Sequence, residues 1–131
     1  MKRLMLNIAV ASAVAIILIA ANVLVRQSEQ FRLGRQAEKA GNFMEALTGY
    51  EYCIRMYTPL SPKVESAASR IWSMAEAAEK DGDIEKAVLA YRSLRSAFYA
   101  TVWLVQPGQQ WIERCEKKIA ALAPQRKDRL Q

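Results

Sequence analysis

The chain has 131 residues, 52% of them hydrophobic, with 19 basic and 13 acidic residues for a net charge of +6 and no histidine. That length holds one ordinary domain plus an anchor, and the missing imidazole removes histidine general bases, His-containing zinc sites and haem attachment. Acidic residues are interspersed with the basic ones along most of the chain, so no basic stripe of the nucleic-acid-binding type stands out.

Residues 4–25 read LMLNIAVASAVAIILIAANVLV, twenty-two positions without a charge. A hydrocarbon core of roughly 30 Å needs about 20 helical residues, so residues 1–25 are expected to form a single transmembrane anchor. A cleaved secretory signal also begins Met-Lys-Arg, but its apolar run is usually shorter and ends at a small-x-small site. Here the run ends Ile19-Ala20-Ala21-Asn22, with no small residue three before the best cut, and retention is expected. Ala9, Ala11, Ala13 and Ala15 place small residues four apart on two faces of the span, where another membrane helix could approach closely or lipid simply cover them. Counting basic residues alone puts the following domain in the cytoplasm, because Arg26, Arg32, Arg35 and Lys39 outnumber Lys2 and Arg3. The short basic head resembles an uncleaved bacterial signal anchor, which implies an inner-membrane protein with its domain on the periplasmic side. The periplasmic face is the expectation.

Helical periodicity then continues through residues 26–123. A first helix is expected over 28–40, stopped by Gly41-Asn42, with Asn42 and Glu45 placed as a capping box. The second, 43–57, gathers Phe43, Ala46, Leu47, Tyr50, Cys53, Ile54 and Tyr57 on one face. Ser61 and Pro62 suit the N-cap and first position of a third helix running to Lys80, with Val64, Ala68, Ile71, Ala75 and Ala78 as its seam. Asp83 is placed to cap a fourth, which turns Ile84, Ala87, Val88, Tyr91, Leu94 and Phe98 inward and is drawn on towards Val105. The only hint of a strand lies at 99–105. A last helix, 109–122, carries Trp111, Ile112, Cys115, Ile119 and Leu122 on one face, and 124–131 is expected as a disordered tail.

Two segments match when overlaid: AEKAGNFMEALTGYEYCI from Ala37 and AEKDGDIEKAVLAYRSLR from Ala78. Gly41 falls on Gly82, Phe43 on Ile84, Ala46 on Ala87 and Tyr50 on Tyr91. The glycines permit a tight turn, the alanines a close helix approach, and the tyrosines fill the seam. Over about residues 27–100 this resembles the tetratricopeptide (TPR) repeat, whose small residues fall on Gly34 and Ala75 and whose terminal proline falls near Pro59. The pattern departs from the family in its period, 41 residues between Gly41 and Gly82 where the family has 34, and in Gln30 and Ile71 at its tryptophan position. The resemblance implies an all-α fold: two TPR-like hairpins, with the helix at 109–122 as the cap that closes the stack.

No GxGxxG, P-loop or nucleophile–base pairing occurs. Cys53 and Cys115, sixty-one residues apart between them, make neither a metal motif nor a CxxC pair; two small buried residues are expected, with a disulfide permitted on the outside face. The reading is therefore a non-catalytic interaction module with no cofactor, no metal, no small-molecule substrate and no nucleic acid. Its partners are the membrane and other protein subunits, as an accessory or scaffold in an envelope secretion, transport or motor complex. The resemblance implies partner binding on the first helix of each hairpin, at Phe31, Arg35, Glu38, Lys39, Trp72, Glu76, Glu79 and Lys80. Trp72 lies off the seam, either as a half-exposed anchor or as a cover for the neighbouring repeat. A second patch, Phe98, Tyr99, Val102, Trp103 and Leu104, is too apolar for one buried helix face, so either a loop folds back on the core or a partner covers it. The alternatives are a sensor of anionic lipid or cell-wall polymer, working through Arg26, Arg32, Arg35 and Lys39, and a self-assembling structural protein.

Overall fold

In the computed structural model, which describes residues 1–59, 61–101 and 104–128, the chain folds into five helices: α1 (Lys2–Lys39), α2 (Phe43–Arg55), α3 (Pro62–Lys80), α4 (Ile84–Ala100) and α5 (Gln109–Asp128). There is no strand among the described residues. Each helix packs on the next in sequence, and α2 also touches α4.

The apolar stretch and the first soluble helix are one helix, where the sequence reading separates a span from a helix at 28–40. Nothing between Val25 and Ser28 can stop a helix, and stopping there would orphan four carbonyls. Residues 1–22 are exposed throughout, and this helix is long and apolar enough to cross a membrane, as an anchor or as a signal sequence. At the junction Gln27 is completely buried. Its amide donates to the carbonyls of Cys53 (3.2 Å) and Met56 (2.8 Å), and its oxygen accepts from the Ser61 hydroxyl (2.5 Å). One side chain thus satisfies the end of α2 and fixes the start of α3. Gln27→Leu strands those carbonyls and is expected to cost about 2 kcal/mol, measured by urea denaturation of the full chain in detergent.

Both hairpin turns have the same construction. Gly41 (φ +77°) and Gly82 (φ +76°) sit in the left-handed region after their helices. The following residues donate back five positions, Asn42 to Ala37 (2.9 Å) and Asp83 to Ala78 (2.8 Å), which closes a Schellman turn at each site. Ser61 and Asp83 cap as expected, accepting from the backbone of Lys63 and Lys86. Asn42 does not. Its amide donates to the Glu45 carboxylate (3.1 Å), so the capping box is replaced by a contact between the two side chains.

The core is continuous through the stack, with Tyr50, Tyr91, Ile54, Ile71, Leu94, Cys53 and Cys115 fully buried. All the expected seam residues of α3 and α4 are buried. Burial pushes the thiols of Cys53 and Cys115 up to about 11 and about 12, and the two are unbonded to one another.

Two ends differ from expectation. Helix α4 stops at Ala100, because Thr101 and Gln106 both turn back onto the Phe98 carbonyl (2.7 Å each). Phe98 is consequently core, 2% exposed, and no part of a surface patch. Tyr99 is half exposed and donates to Glu116, Leu104 is exposed, and Val102 and Trp103 lie outside the described residues. Helix α5 runs beyond 122 through Pro124 to Asp128, where the sequence reading places a disordered tail. A proline near a helix end forfeits one hydrogen bond, and Arg126 binds Glu85 of α4 (2.8 Å) just beyond it.

Candidate binding face

The 41-residue offset between Gly41 and Gly82 also relates the side-chain contacts of the two hairpins. In the first, the Tyr50 hydroxyl donates to Glu38, which is bridged by Arg70 of α3 (2.5 Å). In the second, Tyr91 donates to Glu79 (3.0 Å), which is bridged by Lys118 of α5 (2.8 Å). The ring of Phe31 packs on Tyr50 at 5.5 Å and that of Trp72 on Tyr91 at 4.9 Å. A cation from the third helix of each set covers the outer ring: Lys63 over Phe31 at 4.9 Å, Arg114 over Trp72 at 4.1 Å. Helix α5 therefore stands to the second hairpin as α3 stands to the first.

Electrostatically these units are ties. Burial, then the neighbouring Glu38, pushes the Tyr50 phenol up to about 12, and burial, then the neighbouring Glu79, raises Tyr91. The Lys118 ammonium holds Glu79 below the usual carboxylate range against its burial, with help from Tyr91.

These ties decide what remains of the expected partner surface. Trp72 is only 9% exposed, wedged between Tyr91 and Trp111 (5.9 Å) beneath Arg114. It is a cover within the stack rather than a half-exposed anchor, because α5 crosses the face that the spacing of α3 leaves open. Glu38 and Glu79 are spent on internal contacts. On the α3–α5 side, the Trp111 indole donates to Glu65 (3.1 Å) and Lys118 reaches Glu79, so this side is filled by the chain itself. Glu76 and Lys80 stay exposed on α3.

The α1–α3 side is open. Phe31, Arg35, Glu65, Ser66, Ser69 and Arg70 line a hollow of about 420 Å³. It adjoins a second of about 400 Å³ that adds Arg32, Lys39 and Lys63. Phe31 is half buried at the centre, and Arg35 and Lys39 are exposed beside it. Arg32 is paired with Glu29 and Arg70 with Glu38, whereas no ion pair among the described residues engages Arg35 or Lys39. Of the expected residues, the structure thus brings Phe31, Arg35 and Lys39 together. It adds Lys63 and Arg70 from α3, which sequence spacing misses because their place depends on how the two hairpins pack.

Ala9, Ala11, Ala13 and Ala15 are exposed along α1. Compared with protein-family models, with curated proteins and with solved structures, the chain matches none.

Proposed function

We propose that this chain is a single-pass, non-catalytic interaction module: a short TPR-like platform held at the bacterial inner membrane, facing the periplasm, as a scaffold or accessory subunit of an envelope complex. Its binding surface is the α1–α3 face, and the segment it takes is acidic with an apolar side chain for the Phe31 hollow. The observation that carries this is the pairing of a half-buried aromatic ring with Arg35 and Lys39, two cations that form no ion pair with a carboxylate among the described residues. Support comes also from the repeated hairpin contacts, which give the platform its rigidity, and from the long apolar helix that would tether it. Confinement to one membrane raises the effective concentration of partner subunits, so individually weak contacts suffice.

The test uses the full chain in nanodiscs of neutral lipid and a fluorescent twelve-residue peptide of Asp and Glu with one central Leu. Arg35→Glu with Lys39→Glu is expected to weaken binding at least about ten-fold, each lost charge contact contributing roughly 1 kcal/mol. The remaining affinity should fall with added salt. Lys117→Glu on α5 should leave it unchanged. Equal loss at Lys117, or none at Arg35 and Lys39, contradicts the assignment of this face.

A further inference from the structure

On the other side of α1 lies an apolar groove that the acidic-segment site does not use. Helices α1 and α2 cross closely at Gly34 and Gly49, so their outer faces form an open trough of about 740 Å³. Leu33, Met44 and Tyr52 stand in it 41%, 56% and 49% exposed.

The offset of 41 residues shows what such a surface takes. Leu33, Ala37, Gly49 and Tyr52 correspond to Met74, Ala78, Ala90 and Ser93, all of them buried. Helix α2 covers them in the second hairpin: Ser93 donates to Glu51 of α2 (2.6 Å), and Phe43 of α2 lines one cleft with Met74 and Ala78. In the first hairpin Ala37 and Gly49 are buried as well, but Leu33 and Tyr52, whose counterparts are covered, stand exposed.

We propose that a second copy of this chain fills the groove, the two α1–α2 hairpins pairing about a two-fold axis that runs alongside α1. Three observations favour a copy over another helix. The groove is built on the same unbroken helix as the apolar N-terminal stretch, so copies anchored in one membrane present it side by side and in the same orientation. Its polar lining, Gln30, Gln36, Asn42 and Thr48, consists of neutral groups that both donate and accept, and therefore pair with their own copies; Glu45 is the one charged lining residue. The cations Arg35, Lys39 and Lys63 face the other way. Finally, the line of Leu33 followed back at 3.6 residues per turn reaches Asn22, Ala15 and Ala11. It places two small residues one turn apart, and one hydrogen-bonding amide, on the groove side of the apolar stretch. Ala9 and Ala13 fall on the opposite side. Arg26 lies on the same line at the end of that stretch, where a long side chain reaches out to headgroups.

This pairing rests on residues 4–25 being a retained span, and is independent of the α1–α3 binding site. The experiment therefore starts from the full chain in the alkali-resistant membrane pellet of the expressing cells. Leu33→Cys, treated with a short bismaleimide, is expected to give a covalent dimer, whereas Ser28→Cys, on the far side of α1, stays monomeric; the buried native thiols contribute nothing. Adding Tyr52→Glu to Leu33→Cys should lower the dimer yield about ten-fold, since it buries a carboxylate beside its own copy. No dimer from Leu33→Cys, equal dimer from both positions, or a product with a polypeptide of another mass overturns the pairing. Loss of the chain from the pellet overturns the span and the pairing with it, and leaves the acidic-segment site standing.

Discussion

Trp72→Ala is expected to destabilise the isolated protein by about 4 kcal/mol, within the range for truncating a buried Trp. The side chain packs on Tyr91 and Trp111 and lies under Arg114, whose guanidinium also sits 4.6 Å from the Trp111 ring. Removing the indole opens a cavity at the junction of α3, α4 and α5 and takes from Arg114 one of the two rings it covers. Against a typical total of about 5–15 kcal/mol, that is a large fraction. Denaturation of the purified chain, with no partner present, measures it. An exposed binding residue would behave oppositely, leaving stability unchanged and weakening only association. An effect under about 1 kcal/mol, the ordinary range for surface substitutions, contradicts the buried placement.

Gly49→Val should cost about 3 kcal/mol, at the upper end for overpacking. At an open helical position, replacing glycine by a residue with a side chain gains some helix propensity. At Gly49 the first carbon alone would lie 2.7 Å from both the Cα and the nitrogen of Gly34, backbone atoms that cannot rotate away. Gly34 is constrained in turn, its own added carbon meeting the Tyr50 ring at 2.9 Å. The helices must separate, which pulls Tyr50 from the Glu38 carboxylate and loosens the hairpin next to the apolar helix. A fall in thermal midpoint together with greater exposure of Cys53 to thiol reagents is the expected signature. An unchanged midpoint would mean that α1 and α2 do not cross at these glycines.

What the sequence reveals and what it hides divide along the range of the interactions. The turns at Gly41 and Gly82, the caps at Ser61 and Asp83 and the buried faces of α2 to α5 are set by residues within one or two turns of each other, and periodicity and spacing expose them. The 41-residue match also foreshadows the Tyr50 and Tyr91 ties, although their carboxylate partners need the turn to bring them near. Trp72 stays open in the sequence between anchor and cover because its environment comes from α5, some forty residues later in the chain. Gln27 looks like an ordinary polar residue after an apolar run, and only the end of α2 gives it a purpose. Gly49 carries no periodic signal at all; a glycine on a buried helix face marks a close crossing only once its opposite number, Gly34, is known. On the proposed binding face, Phe31, Arg35 and Lys39 share one side of a helix and are legible together. Lys63 and Arg70 arrive from another hairpin and are not.

The tether is the claim on which the proposed role most depends, and alkaline carbonate extraction of cells expressing the chain with an N-terminal epitope tests it directly. A retained α1 leaves the chain in the membrane pellet at full length with its epitope intact. A soluble fragment beginning near residue 22, with the epitope lost, would make α1 a removed signal and would contradict the account.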